Sequence, residues 1–497
     1  MKKMNLLVMS LVSAAALSFS SCSSNDDLTG GGTQSQADGV YMTLKISGTT
    51  SHGTRTSVTD GKTTTDNGSV AESTITEGMM YIYDGPTCVF RKVITKDMFE
   101  TAPTQTTSGV TKPIKVAVTG AITTGKKYDV YFLANRTNVD NPIAATSIFT
   151  STTGGADFAT DNKFVMFNQN DGTKAAAHSK VEFTDAAKSE KSPAAADEIK
   201  LDRVVARIDR PSFAETVTTV TPATDTKTSI NVADVVAGIS YEGFAVSNLN
   251  NNSYVMQNWD TNFKTLSVKW GEPKYSLPKS TYGTLYNAEG LANFDTKEKP
   301  VSWKYAFENT TTDVNDATAV YFKVKVALTE TAMAASDFKD GTFYRYDGRL
   351  YTSIKAIFDN AATGEISNPF TETNSITPAD VVAKISDADG KLTTDEAKLA
   401  KFRQDYKIEV YRQGTMYYRW AISDNAYKPF IASETTHTYS VLRNSIYRLN
   451  VTKVSEIGKD VPNGPEPDDP VKNPNFYMNV TVSINPWVLN AQPIELK

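Results

Sequence analysis

An alternating segment near the N-terminus reads Val40-Tyr41-Met42-Thr43-Leu44-Lys45-Ile46-Ser47. Successive side chains of a β-strand point to opposite faces, so Val40, Met42, Leu44 and Ile46 share one apolar face. This pattern predicts a half-buried strand. Arg55, the first arginine of the chain, follows in a polar loop, where it is an accessible target for a trypsin-like protease. A surface arginine without such a role is the alternative interpretation.

A second alternating segment lies near the C-terminus, with an apolar face made of Phe476, Met478, Val480, Val482 and Ile484. Pro486 interrupts the ladder, and a second apolar piece begins at Trp487. A Pro-rich acidic spacer, residues 461–475, precedes the segment. About 14 extended residues at about 3.1 Å each span roughly 40 Å. That reach favours a strand delivered to another molecule; a last strand of the chain's own sheet, reached by a disordered loop, is the alternative.

The first 21 residues have the features of a lipoprotein signal peptide. Lys2 and Lys3 precede an apolar stretch from Leu6 to Leu17, which is shorter than the roughly 20 residues that a membrane span needs. The run Leu17-Ser18-Phe19-Ser20-Ser21-Cys22-Ser23 resembles a bacterial lipobox, in which Cys22 is lipidated, although Phe19 replaces the usual leucine. An ordinary signal peptide with an incidental cysteine is the alternative. A Gly/Ser-rich tether follows, from Ser23 to Gly39.

Composition narrows the class of protein. A chain of 497 residues predicts two or three domains at ~150 residues each, and 40% hydrophobic residues exclude a disordered chain. Abundant threonine and tyrosine favour strands over helices. The net charge of −5 argues against nucleic acid as a partner. Cys88 is the only cysteine after Cys22, so the folded part has no intrachain disulfide, and we expect Cys88 to be a small buried hydrophobe.

Short alternating runs separated by turn residues continue through the body of the chain. They predict strands at Met79–Tyr83, Ile114–Val118, Tyr128–Leu133, Leu201–Ile208, Ile239–Val246 and Ala319–Leu328, and a hairpin around Asp347-Gly348. All five tryptophans follow Pro211, which supports a domain boundary near that residue. The spacing and turn chemistry predict an all-β fold with minor helices.

Candidate catalytic and metal-binding residues are few. The three histidines, His52, His178 and His437, have polar neighbours and are interpreted as solvated. Asp387-Ala388-Asp389-Gly390, with Asp395 and Glu396, suggests calcium, but the glycine falls two places early for an EF-hand loop, so a turn is favoured. Tyr417, Tyr418 and Trp420 either stack on sugars or pack in a core, and packing is favoured. We therefore expect a non-enzyme with no catalytic residues, no metal and no cofactor.

The chain resembles the Bacteroidales fimbrillins, the type V pilins, and most of all the structural subunit of the short (minor) fimbria. Besides the lipobox-like run, the matching pieces are Tyr41-Met42-Thr43-Leu44 leading to Arg55, Leu201-Asp202-Arg203-Val204-Val205-Ala206-Arg207-Ile208, Gly414-Thr415-Met416-Tyr417-Tyr418-Arg419-Trp420, Val441-Leu442-Arg443-Asn444-Ser445-Ile446-Tyr447-Arg448-Leu449 and Tyr477-Met478-Asn479-Val480-Thr481-Val482-Ser483-Ile484-Asn485-Pro486-Trp487. The resemblance runs over nearly the whole chain, with Phe213 to Ile230 left unaligned.

The resemblance implies two transthyretin-like β-sandwich domains in tandem and a C-terminal donor strand. The implied divisions are a signal peptide (1–21), a lipidated tether and propeptide with the removable first strand (22–55), an N-terminal domain (56–211), a C-terminal domain with its spacer (212–475) and the donor strand (476–497). Cleavage between Arg55 and Thr56 would release the first strand, and the tail of a neighbouring subunit would replace it.

The implied function is a shaft subunit of a surface fimbria that serves adhesion. Its implied partners are identical subunits, accessory anchor and tip subunits, a trypsin-like processing protease, host or bacterial surface receptors and, before cleavage, the outer membrane. Its implied location is the outer membrane as a lipoprotein precursor and then the fimbrium. A non-polymerising surface lipoprotein that binds glycan or protein, or an anchor or tip fimbrial subunit, is the alternative.

Overall fold

The computed structural model describes residues 39–48, 68–69, 71–100, 114–144, 146–170, 179–213, 232–259, 265–266, 294–295, 301–311, 317–371, 375–422, 439–454, 457–461 and 478–486. Within these ranges the chain consists mainly of β-strands, so the predicted all-β class is confirmed. The division into two transthyretin-like sandwiches, and the bounds given for them, stay predictions. Among the helices of these ranges, none combines the length and apolar character needed to cross a membrane.

The first half of the described chain builds one hydrophobic core, here called the first core. Its strands are β1 (Val40–Leu44), β2 (Ile46–Gly48), β3 (Gly78–Asp84), β4 (Thr87–Ile94), β5 (Ile114–Val118), β6 (Lys127–Ala134), β7 (Ile148–Thr150), β8 (Met166–Asn168), β9 (Ser179–Glu182), β10 (Ala194–Ala195) and β11 (Ile199–Arg203), with a short helix α1 (Lys96–Glu100). One sheet has the order β10-β1-β5, and the other has the order β2-β11-β8-β6-β3-β4, with β9 beside β6.

The second half begins with β12 (Ala206–Asp209), β13 (Ser212–Phe213), α2 (Val232–Val235), β14 (Val236–Ser247), β15 (Asn252–Tyr254), β16 (Asn258–Trp259), β17 (Thr265–Leu266), β18 (Trp303–Ala306), β19 (Asn309–Thr311), β20 (Ala319–Leu328) and α3 (Glu330–Ala335). It ends with β24 (Thr415–Ala421), β25 (Tyr439–Val441), β26 (Ser445–Val454) and β27 (Met478–Pro486). Two main sheets, β13-β26-β12-β18 with β27 beside β26, and β14-β20-β24, contribute to the second core.

A third, smaller core lies between β20 and β24 in sequence. Its elements are β21 (Phe343–Tyr346), β22 (Arg349–Tyr351), α4 (Ile354–Ala362), α5 (Pro378–Ala383), α6 (Glu396–Tyr406) and β23 (Glu409–Tyr411). The Asp347-Gly348 turn of the β21–β22 hairpin is as expected, since both residues have the positive φ, 45° and 72°, that a tight hairpin turn requires. The sequence predicted minor helices but did not place these three.

The change from the first core to the second falls inside Leu201–Ile208, which the alternation predicted as one strand. The structure divides it into β11 and β12, separated by Val204 and Val205. Val205 belongs to the first core and Ala206 to the second. The sequence gives no sign of the break, since no glycine or proline marks it. Both valines are apolar and fully buried, as residues of a continuous strand could also be.

Burial of tyrosine hydroxyls makes the fold sensitive to alkali. Burial is the main cause that raises the pKa of Tyr81, Tyr131 and Tyr417 well above 10.0. Above pH 10 the unfolded chain ionises these phenols while the folded chain keeps them neutral, so the unfolded state is favoured. We expect each of the three to lower the free energy of unfolding by ~1.4 kcal/mol per pH unit above 10. Unfolding titrations in denaturant, followed together with tyrosinate absorbance, measure the effect. Stability that is constant across this range would contradict the prediction.

Candidate functional site: the paired N-terminal strand and the C-terminal strand

The segment from Val40 to Gly48 pairs with both sheets of the first core, and its first strand, β1, is paired on both sides. β1 runs antiparallel to β5, from Val40 opposite Val118 to Leu44 opposite Ile114, and parallel to β10. At Lys45 the chain leaves the first sheet, and β2 then runs parallel to β11 in the other sheet. A single nine-residue segment therefore joins the two sheets.

The apolar face of this segment is buried as the alternation predicted. Met42, Leu44 and Ile46 have no exposed area, and Val40 is 5% exposed. Full burial of an aliphatic side chain contributes about 1.5–3 kcal/mol, so the four together contribute roughly 6–12 kcal/mol before the cost of ordering the chain. The intervening Tyr41, Thr43 and Lys45 are half-buried. The first core is thus incomplete without this segment.

The hydrogen bonds show which neighbour each residue faces. The carbonyl of Thr43 accepts from the amide of Ala196 at 3.1 Å, and the carbonyl of Lys45 accepts from the amide of Ile199 at 2.9 Å. The backbone groups of odd-numbered residues therefore form hydrogen bonds with β10 and β11. Those of the even-numbered residues of β1 form hydrogen bonds with β5. Removal of the segment would leave unpaired backbone groups on both sides of the gap.

The C-terminal strand pairs with a sheet of the second half of the chain rather than with a sheet of the first. β27 runs antiparallel to β26, from Met478 opposite Val454 to Pro486 opposite Ser445, with one bulge near Lys453. On its other side β26 pairs with β12 and β13. In this chain, therefore, β27 adds to the sheet on its own β26 and does not contact β5 or β10 through the ladder.

A buried ionic network, here called the junction network, connects Glu72, which follows the tether in sequence, to both cores. The Glu72 carboxylate is 1% exposed and accepts from Arg207 Nη1 at 3.0 and 3.1 Å and from the Tyr305 hydroxyl at 2.9 Å. Arg203 donates from Nε to the Glu72 carbonyl at 2.8 Å and from Nη1 to Asn444 Oδ1 at 3.2 Å. Burial lowers the pKa of Arg203 to about 9, and the negative charge of Glu72 acts in the opposite direction.

A second buried pair lies nearby within the second half of the chain, and its arginine also contacts Val255, a residue of the first core. Arg443 donates from Nε to Glu308 Oε2 at 2.7 Å and from Nη1 to the Val255 carbonyl at 2.9 Å. Phe158 packs edge-on against Phe307 with ring centres 5.0 Å apart. Charged groups that are removed from water destabilise a fold unless they have close partners. These contacts therefore fix the geometry of the junction. Sequence reasoning missed Glu72, Arg203 and Arg443 because their partners lie more than one hundred residues away.

Several predicted site residues lie outside the described residues: Cys22, Arg55, Thr56, Phe476, Trp487 and the three histidines, His52, His178 and His437. Their roles stay predictions. For Met478, Val480, Val482 and Ile484 the structure describes the strand but not the side chains.

The other candidate residues have structural positions. Asp387 accepts backbone amides of Asp389 and Lys391, both at 2.9 Å, as in a turn. Asp395 is the N-cap of α6, where it accepts from the amide of Ala397 at 2.9 Å. Among the residues that the structure describes, no three acidic, histidine or cysteine side chains converge as metal ligands.

Two expectations about packing have different outcomes. Tyr417 and Tyr418 are buried, so core packing describes them better than sugar stacking, while Trp420 is half-buried. Cys88 is not the buried hydrophobe that the sequence suggested. It is a half-buried thiol on β4, an outer strand of its sheet, where it packs against the first core and Sγ donates to the Phe90 carbonyl at 3.5 Å.

Comparison with known families places the C-terminal strands. Residues 409–493, from β23 through β27, match the family described as "Major fimbrial subunit protein type IV, Fimbrillin, C-terminal". Residues 409–493 are therefore similar to the C-terminal region of the fimbrillins. The resemblance read from the sequence is therefore confirmed, with the match itself covering this last part of the fimbrillin chain. No curated protein matches it.

Solved structures give weaker likenesses over most of this chain. A cell adhesion protein of Parabacteroides distasonis, described as putative, is 14% identical, with 92% of this chain and 100% of that chain covered and a TM-score of 0.41. A second such protein from the same organism is 10% identical, with 91% and 100% covered and a TM-score of 0.43. A fimbrilin of Porphyromonas gingivalis is 16% identical, with 91% and 99% covered and a TM-score of 0.38. The fold described above rests on this chain's own strands, since all three scores lie below 0.5.

Proposed function

We propose that this fimbrillin is a shaft subunit of a cell-surface fimbria and that it polymerises by strand exchange. The observation that carries the proposal is the N-terminal segment Val40–Gly48, whose apolar face is buried from Val40 to Ile46 and whose first strand, β1, is paired on both sides. Arg55 lies seven residues beyond it in sequence, where one cut separates the segment from the rest of the chain. The match of residues 409–493 to fimbrial subunits supports the assignment.

Cleavage after Arg55 converts a complete fold into an incomplete one. The released piece, Cys22 through Arg55, holds the side chains that fill four pockets of the first core. An open edge with unpaired amides and apolar pockets binds an extended strand by addition to the sheet. The C-terminal strand of a second copy carries five alternating apolar side chains, which at ~1.5–3 kcal/mol each contribute roughly 8–15 kcal/mol before ordering costs.

The contact is head-to-tail, so each added subunit supplies a further tail, which would leave its own β26 before donation, and the assembly grows as a filament. No cofactor or nucleotide takes part in this step, and its role is structural rather than catalytic. Before the cut, lipid on Cys22 would hold the precursor at the outer membrane. Anchor and tip subunits, a trypsin-like protease and a surface receptor complete the proposed partners.

The Arg55→Ala variant tests the trigger. We expect monomeric lipoprotein at the outer membrane, because without the cut the first core keeps its own strand, whereas the unaltered chain gives a heat-sensitive ladder of multimers on gels. Electron microscopy of the purified protein after trypsin treatment should show filaments for the unaltered chain alone. Arg91→Ala, at an arginine that lies past the cut, is the control and should polymerise. Equal ladders from the Arg55→Ala variant and the unaltered chain would overturn proteolytic triggering at this site.

A further inference from the structure

The C-terminal strand matches the N-terminal strand position by position in its alternation of apolar and polar residues. Val40-Tyr41-Met42-Thr43-Leu44-Lys45-Ile46-Ser47 aligns without gaps with Phe476-Tyr477-Met478-Asn479-Val480-Thr481-Val482-Ser483. The tyrosine, the methionine and the serine are identical, and every apolar position remains apolar. Both alternating faces are therefore preserved, since the identities fall on the apolar and the polar face alike.

We infer that the donated strand enters the vacated groove in the register of this alignment, which puts Met478 in the site of Met42, Val480 in that of Leu44 and Val482 in that of Ile46. This register rests on the proposed strand exchange. It also puts Phe476 at the position of Val40, which is the one member of the apolar face with some exposed area and so accepts the larger ring.

The fit of the pockets favours this register over its neighbours. Met42 has no exposed area, and an identical methionine fills its pocket without a change of volume. A slide of two residues would put Val480 there and leave a cavity at a fully buried site. A slide in the other direction would bring Pro474 to the position of Val40, although a proline cannot donate to the ladder.

The backbone supports the same choice. The paired segment of the precursor runs from Val40 to Gly48, and in this register Phe476 to Ile484 covers the same nine positions. Pro486 then falls two positions past Gly48, beyond the last registered pair with β11. All nine positions of the donated ladder are therefore free of proline.

A disulfide across the new strand pair tests the register directly. In the precursor Thr43 stands opposite Lys115, and Thr43 bonds toward β10, so the two form a non-hydrogen-bonded pair with Cα atoms about 4.5 Å apart. In the inferred register Asn479 takes the place of Thr43. We therefore expect the double variant Lys115→Cys/Asn479→Cys, in a Cys88→Ser background, to give a covalent ladder on non-reducing gels that collapses to monomer with a thiol reductant.

Two matched variants test registers that are shifted by two residues. Tyr477→Cys or Thr481→Cys, each with Lys115→Cys, places the thiol two residues away in the diagonal position, about 7–8 Å distant, which a disulfide does not span. A covalent ladder from either of these variants, with none from the Asn479 variant, would overturn the register while leaving strand exchange intact. Lys115 pairs only with exposed Glu190 on the surface, so its replacement is mild.

A second cysteine pair repeats the test at another position, so that a local folding defect at the first position does not decide the result. Tyr41 stands opposite Ala117, so Tyr477→Cys with Ala117→Cys is expected to cross-link as well. Cross-linking by neither expected pair, in filaments that form normally, would overturn the register. Absence of filaments from the Cys88→Ser parent after cleavage would instead overturn the proposed function, so the two failures are distinguishable.

Discussion

Replacing Leu44 with alanine is expected to lower the free energy of unfolding of the uncleaved chain by about 2–5 kcal/mol and to leave the assembled filament unchanged. Leu44 has no exposed area in β1, and the truncation leaves a cavity between the sheets of the first core. The residue precedes Arg55, so the proposed cut would remove it, and the filament would contain no trace of the substitution.

The measurement uses two states of the same chain. Denaturant unfolding of the precursor, held uncleaved by Arg55→Ala, gives the first effect, and the temperature at which filaments dissociate gives the second. Thr43→Ala, one position away on the half-buried face, is the control and should change both values little. A filament that dissociates at a lower temperature when built from Leu44→Ala chains would show that the first strand is retained after assembly.

The second prediction concerns the donated strand. Val482→Asp is expected to abolish filament growth while cleavage proceeds normally, because a carboxylate would be buried in an apolar pocket of the neighbouring subunit without a partner, at a cost of several kcal/mol. Adjacent residues of a strand face opposite sides, so Ser483→Asp adds the same charge on the other face and should still polymerise.

Mass spectrometry of the processed chain, native gels and electron microscopy together read out this pair of variants. An unfolding transition measured on the precursor of each variant shows whether the fold itself is affected. Filaments of normal length from Val482→Asp would refute the role of this face, and equal inhibition by Ser483→Asp would show that the face assignment is wrong.

Local pattern predicted much of the fold and of the candidate site. The alternation of Val40 to Ile46 was sufficient to predict an extended segment and its buried face, because side chains in a strand repeat every two residues, but it did not predict the change of sheet at Lys45. The Asp347-Gly348 turn was predictable for a similar reason, since its two positive φ angles select residue types. These features depend on neighbours in sequence.

Features that depend on distant partners were not predictable. The break between β11 and β12 follows from packing on two different cores, and the partners of Arg203 include Asn444, 241 positions away. The helices α4 to α6 are a different case, because local signals were present: Thr377, Pro378 and Asp380 form a capping box with proline in the first turn, and Asp395 caps the next helix. The abundance of strand-favouring residues elsewhere outweighed these signals.

The junction network has a mechanical consequence. Pulling the two cores apart loads the Glu72–Arg207 pair, which spans them, and the Arg443–Glu308 pair, whose arginine donates to the Val255 carbonyl of the first core. Separating either pair would leave an unpaired charge in a site without water. Such bonds therefore resist stretching over a short distance and then break abruptly. A string of these molecules would behave under flow as a stiff rod whose compliance resides between neighbours rather than within each one.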